Sequence, residues 1–249
     1  MVKTSVFGFT DEFKGRVVAV TGVGRAGQVG EAVAAHFAAA GASLALLDLD
    51  HEQLSARARE LRERYPEAAI SAHACNLTNA ESAAAAVAEV HAAHGDLVHV
   101  LVNAAGGFGM DGEVAGSDPE LLQRMLAVNL TTAFVATRAF LPSLRRARGA
   151  ICYFGSVAAL PGGSGPRMAA YAASKAGVMS LMASVAAEER EHGVRANAVV
   201  PTAVRTAMNE ASMGKDAAYV EREDIARLVL WLCSPGAARV ITGQAVRAG

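Results

Sequence analysis

The sequence predicts an α/β fold: a single doubly wound, Rossmann-type domain with a seven-stranded parallel sheet and helices on both faces. Three observations carry this. Strand-like and helix-like segments alternate along all 249 residues. The strand segments are apolar on both faces, as in SLALLDL (43–49) and VHVLVNA (98–104). Such runs suit parallel strands covered by helices on each side. Finally, glycines crowd the first strand-to-helix turn, TGVGRAGQVG (21–30).

The elements follow in order. Residues 17–21 form a β-branched run that reads as a buried strand. The alanine-rich stretch 27–40 reads as a helix stopped by Gly41. Strands are then expected at 43–48, 69–75, 97–103, 149–155, 194–200 and 240–246. Helices are expected at 51–64, 79–94, 118–147, 168–192 and 223–234. No linker, repeat or low-complexity tract interrupts them, so one domain spans 1–249. Residues 1–14 are a short N-terminal extension, and 207–222 a short lid over the substrate.

Bulk properties exclude several classes. The net charge is −1, which leaves no electrostatic footprint for nucleic acid or an anionic membrane. No apolar stretch reads as long enough to cross a bilayer, and the N-terminus lacks the apolar core of a signal peptide. Three separated cysteines, Cys75, Cys152 and Cys233, read as reduced thiols of a cytoplasmic protein. His91 and His94 lie one helical turn apart. They read as exposed, and with no third ligand evident no metal site is expected.

In a doubly wound sheet, ligands gather at the carboxyl ends of the strands. Those ends carry the glycine turn, then Asp48, then Cys75, Asn76 and Leu77, then Asn103, Ala104, Ala105 and Gly106, then Gly155 and Ser156, then Pro201 and Thr202. Gly22, Gly24 and Gly27 satisfy G-x-G-x-x-G between a strand and a helix, the context that motif needs. Free amides and the positive end of a helix dipole favour a pyrophosphate there. The bland reading is a tight turn under a close-packed helix. Asp48 can accept both hydroxyls of an adenine ribose and would repel a 2′-phosphate, which favours NAD over NADP. Arg25 points the other way, toward NADP. Asp48 could instead cap the helix starting near His51, although Asp50 can do that.

The stretch YAASK (171–175) puts Tyr171 and Lys175 on one helix face. A free phenol is a poor base at neutral pH, and a fixed ammonium favours its phenolate. Tyr171 can then exchange a proton with an alcohol or carbonyl oxygen while hydride moves. Lys175 can also donate to a nicotinamide ribose. Ser156, after a strand, can hydrogen-bond the substrate oxygen. Asn129 lies mid-helix, where an amide usually faces solvent or bonds locally; here it can hold a water that relays protons from Lys175.

These residues resemble the short-chain dehydrogenase/reductase family over essentially the whole chain. The markers are the TG turn, Asp48, Asn76 with Leu77, NAAG at 103–106, Asn129, Ser156, YAASK, Pro201 with Thr202, and ITGQ at 241–244. The resemblance implies Asn129, Ser156, Tyr171 and Lys175 as a catalytic tetrad. It implies a dinucleotide held by Gly22, Gly24, Arg25, Gly27, Gln28, Val29, Asp48, Asn76, Leu77, Asn103, Ala104, Ala105, Gly106, Val128, Tyr171, Lys175, Pro201, Val204 and Thr206. It also implies a homotetramer or homodimer paired through the long helices.

The family turn is TGxxxGxG, and here it is two residues longer. If Gly30 is the helix-packing glycine, residues 25–28 bulge, and either Gly24 or Gly27 faces the pyrophosphate. The gap from Ser156 to Tyr171 is also two residues longer, in LPGGSGPRM. Gly107, Phe108, Val157, Pro161, Met168, Met208 and Met213 are candidate pocket walls. Their apolar character points to an uncharged secondary alcohol or ketone as substrate. An NADPH-dependent 3-oxoacyl thioester reductase, a catalytically silent dinucleotide-binding protein and an S-adenosylmethionine methyltransferase are the alternatives.

Overall fold

A computed structural model describes residues 11–110 and 112–249. The expected extension 1–14 therefore lies largely outside the described residues. Of its described residues Phe13 is fully buried and meets the Phe37 ring edge-on at 4.9 Å, while Asp11 and Lys14 are exposed.

Seven strands make one parallel sheet: β1 Val17–Thr21, β2 Ser43–Asp48, β3 Ile70–Ala74, β4 Val100–Asn103, β5 Ala150–Phe154, β6 Arg195–Pro201 and β9 Ala245–Ala248. Their order is β3-β2-β1-β4-β5-β6-β9. Val17–Val20 are buried on both faces, as are Leu44–Leu47. Each face contributes alternate side chains to its own apolar layer. One layer packs under α1 (Val29–Ala39), α2 (His51–Arg64) and α8 (Arg222–Cys233). The other packs under α3 (Ala80–His94), α5 (Thr132–Ala147) and α6 (Ala169–Glu188). The chain reverses its direction across the sheet between β1 and β4, which opens a crevice at their carboxyl ends.

Four differences from the sequence reading have local causes. The expected helix 118–147 is α4 (Pro119–Met125), a π-helical turn Leu126–Thr131, and α5. Asp118 caps its start by accepting from Glu120 N at 2.9 Å, with Pro119 in the first turn. By length and mean hydropathy (1.3) Pro119–Ala147 is apolar enough to cross a bilayer, contrary to expectation. It lies instead against the sheet, burying Val135, Ala136, Phe140 and Leu144. The last strand begins at Ala245, not 240. The β-branched run before it is spent in a turn with Gly243 at φ +73, stitched to β6 by Asn197 Nδ2 donating to Ile241 O at 2.9 Å. α6 ends at Glu188, four residues early; the fully buried Glu189 takes both arms of the Arg145 guanidinium at 2.6 and 2.8 Å.

The segment expected as a lid also has structure of its own. β7 (Val204–Arg205) pairs in parallel with β8 (Val220–Glu221), and α7 (Ala207–Met213) bridges them. Arg205 binds Glu210 and Glu221 at 2.7 and 2.8 Å, and Tyr219 OH donates to Gly214 O at 2.7 Å.

Candidate active site

The glycine turn leaves β1 at Gly22, whose φ of +72 suits glycine. A Cβ there would lie 2.7 Å from the Ala105 Cα, so this position is held small by the segment following β4. Thr21 ties the two together: its hydroxyl donates to Val102 O at 3.3 Å and accepts from Ala105 N at 3.0 Å. A Cβ on Gly30 would overlap the Gly22 carbonyl oxygen. Gly30 is therefore the helix-packing glycine, and the extra residues bulge before it.

Carboxylates occupy two amides of this turn. Gly24 N donates to Asp48 Oδ2 at 2.7 Å, and Gly27 N donates to Glu31 Oε2 at 2.6 Å. Neither glycine amide is free as expected. The remaining anion-facing donors are the first-turn amides of α1, from Val29 onward, which no side chain caps. Gln28 is the extended residue at the N-cap. Asp48 is not a helix cap; Asp50 is, accepting from Gln53 N at 3.0 Å. That amide, above all, holds the Asp50 carboxyl below its ordinary range, with exposed Arg25 adding to it.

Along the other strand ends, Asn76 Oδ1 is committed to Thr78, accepting from its amide at 2.9 Å and its hydroxyl at 2.6 Å. Leu77 is buried in the layer under α3. Asn103 donates to Thr137 Oγ1 at 3.2 Å, while its buried Oδ1 has no partner among the described residues. Ala104 and Ala105 line the approach to Gly22. Pro201 ends β6, Val204 is buried in β7, and Thr206 caps α7 by accepting from Asn209 N at 3.2 Å.

Asn129 sits in the π-helical turn and is 1% exposed, not solvent-facing. Its Oδ1 accepts from Gly107 N at 2.9 Å, and its Nδ2 donates to Gly107 O and Ser174 Oγ, both at 3.0 Å. The side chain thus clamps the segment after β4 to α6 and has no N–H left for a relay water. Val128, beside it, flanks Gly107. A Cβ on Gly106 would fall 2.7 Å from Asn129 Oδ1 and 3.5 Å from Lys175 Nζ.

Tyr171 and Lys175 share α6, with opposite electrostatic burdens. Lys175 is 7% exposed and donates to Phe154 O at 2.9 Å. Burial pushes its ammonium down to about 8. Burial also pushes the Tyr171 phenol up, opposed by the Ser156 hydroxyl beside it. The expected acidification rests on the Lys175 ammonium, which here donates to a β5 carbonyl. Ser156 accepts from Ala158 N at 3.2 Å and caps a short helical turn. The inserted loop folds back on that turn, since a Cβ on Gly163 would overlap Val157 O. The extra residues therefore leave Ser156 beside Tyr171. Phe108 packs its ring edge-on against Tyr171 at 4.9 Å and is half exposed.

Sequence reasoning missed Ser174, Glu31 and the Phe154 carbonyl. Ser174 was visible as a polar residue within YAASK; its full burial was not. His91 and His94 are half-buried, not exposed, and face Ser143 and Ser71 respectively.

The reversal between β1 and β4, with glycines and polar side chains gathered at the strand ends, defines a Rossmann-type oxidoreductase architecture. Residues 16–217 match the family described as short chain dehydrogenase. The chain belongs to the short-chain dehydrogenase/reductase family. It is 36% identical, over 95% of its length and 96% of the relative's, to a 2-(S)-hydroxypropyl-CoM dehydrogenase of Xanthobacter autotrophicus. A short-chain type dehydrogenase/reductase from Mycobacterium ulcerans superposes with a TM-score of 0.87 at 27% identity, covering 95% of this chain and 89% of that one. A 3-oxoacyl-[acyl-carrier protein] reductase from Brucella melitensis, solved with bound NAD, gives 0.84 at 26% identity, covering 96% and 92%.

Proposed function

We propose that the chain is a nicotinamide-dinucleotide-dependent dehydrogenase or ketone reductase that interconverts a secondary alcohol and a ketone, with Tyr171 as general acid/base. The observation that carries this is the convergence on one cleft of Ser156 beside Tyr171, Lys175 on the β5 carbonyl, and the Asn129 clamp.

The residues fit a dinucleotide. A Cβ at Gly22 would collide with the Ala105 backbone and one at Gly106 with the Asn129 amide, so no side chain projects from either position beside the crevice. Asn103 Oδ1 is a buried acceptor awaiting a donor. Gly22, Asp48, Val29 and Lys175 would hold the group, and when bound it supplies or accepts the hydride. Asp48, ending β2 with no cation paired to it among the described residues, favours NAD over NADP.

In the reducing direction Tyr171 gives its proton to the carbonyl oxygen, and Ser156 donates a hydrogen bond to the same atom. A phenol held high by burial stays protonated and is a weaker acid, so positive charge nearby is needed for it to release its proton. Lys175 supplies that charge below pH about 8. Asn129 is a positioning residue: it holds Gly107 and α6 in register.

The substrate is an uncharged secondary alcohol or ketone. Phe108 packs on Tyr171 and is half exposed, and Met208 and Met213 are exposed apolar side chains of the expected lid. We further take the chain to act in the cytoplasm as a homodimer or homotetramer paired through α5 and α6, where Phe134 stands half exposed. A ketone panel with each reduced nicotinamide tests the reading. It expects turnover on neutral ketones, faster with NADH. Tight NADH binding without turnover across the panel would make the protein a silent dinucleotide binder.

A further inference from the structure

At the end of the sheet opposite the site, a cavity of about 470 Å³ opens beneath the amino ends of β4, β5 and β6. Four arginines line it, Arg16, Arg148, Arg195 and Arg239, together with His99 and Cys233. No carboxylate lines it. None of the four arginines forms an ion pair among the described residues. The Glu12 carboxylate, which does not line the cavity, accepts from the Ser234 hydroxyl.

The four arginines are not equivalent. Arg195 is structural: it donates to Leu232 O at 2.7 Å, Ser234 O at 3.0 Å and Ile241 O at 3.3 Å, which caps the carboxyl end of α8. Its charge remains in the wall while its donors are largely spent. Arg148 ends α5 with a left-handed φ of +51, a costly conformation for a side-chain-bearing residue. Its guanidinium is laid across Gly193, where a Cβ would fall 2.8 Å from Nε. Arg16 and Arg239 complete the lining, and neither forms an ion pair among the described residues.

His99 adds a neutral donor. Its Nδ1 accepts from Val17 N at 3.0 Å, so the ring proton sits on Nε2. Burial first, and then Arg16, push its pKa down. Guanidinium forks match the tetrahedral oxygens of a phosphate, and like charges held together without a counter-ion call for an anion. The volume falls in the range of small-molecule sites, far larger than a lone ion requires. Val240, 81% exposed at the rim beside Pro235, offers apolar surface to an organic body.

We propose that this cavity binds a small organic phosphate ester, its phosphate held by Arg16, Arg148 and Arg239. The cavity is a full strand length from Gly22 and Ser156, so its occupant and a dinucleotide bind without competing.

Calorimetric titration at fixed ionic strength tests this with phenyl phosphate, which has neither an alcohol nor a carbonyl, and with inorganic phosphate. The expected result is saturable phenyl phosphate binding, one per chain, unaffected by saturating NADH and weakened at least tenfold in Arg16→Gln/Arg239→Gln. Inorganic phosphate is expected to bind more weakly than the ester. Arg239→Gln alone, at an exposed side chain, should weaken binding severalfold, so the test survives if the double variant misfolds. Equal affinity in wild type and variants, no saturable binding, or inorganic phosphate binding as tightly as the ester would overturn the proposal.

Discussion

The amide of Gly24 donates to Asp48 Oδ2 at 2.7 Å, while Asp48 Oδ1 accepts from the Leu49 amide at 2.7 Å. One carboxylate thus pins the glycine turn to the end of β2 and presents a negative charge where an adenine ribose would lie. The two roles separate by substitution. Asp48→Asn keeps an acceptor for Gly24 and removes the charge. It should raise the NADPH/NADH ratio of kcat/KM about tenfold or more with little loss of stability. Asp48→Ala should shift the ratio similarly and also cost about 1–2 kcal/mol in denaturant unfolding. An unchanged ratio in both would make Asp48 purely structural.

Gly30 meets the carbonyl of Gly22 so closely that no side chain fits. Gly30→Ala should destabilise the fold by roughly 2–3 kcal/mol, since overpacking here displaces backbone. Gly116, with nothing within 4 Å of its Cβ position, should accept alanine within about 0.5 kcal/mol. Equal denaturation midpoints for the two variants would contradict the packing account.

Lys175 makes stability depend on pH. Its pKa falls from 10.5 to about 8 on folding. Between those values the unfolded chain holds a proton that the native chain has released, so stability rises with pH across that window. The cost of burying the ammonium is fully present below about pH 8 and amounts to about 3 kcal/mol. Lys175→Met should remove this slope. Urea titrations of the ligand-free protein at pH 7 and pH 10 measure it, and a variant as pH-dependent as wild type would refute the burial argument.

Phe108 leans on the Tyr171 ring from the solvent side. Phe108→Ala should raise KM for apolar ketones about three- to tenfold and leave NADH affinity unchanged, because only substrate surface is lost. An effect on NADH binding alone would move Phe108 out of the substrate pocket.

Much of the fold was legible because parallel strands buried on both faces leave unmistakable apolar runs, as at Leu44–Leu47. The last strand was misplaced because Val240, Ile241 and Thr242 look like a strand but turn at Gly243. Tyr171, Ser156 and Asp48 could be picked out because polar residues at strand ends and in YAASK stand against an apolar background. What binds them could not. The partner of Lys175 is a backbone carbonyl, anonymous in any sequence, and Glu31 reaches Gly27 only because the lengthened turn brings that amide over the start of α1. Nor could the burial that pushes the phenol up be read, since it depends on what packs around α6.

The proton-transfer role of Tyr171 is tested most directly by Tyr171→Phe, comparing turnover with NADH affinity on a ketone that the wild-type protein reduces. The account predicts turnover lower by about 10²–10⁴-fold with NADH affinity within a few-fold of wild type. Turnover near the wild-type rate in that variant would contradict it.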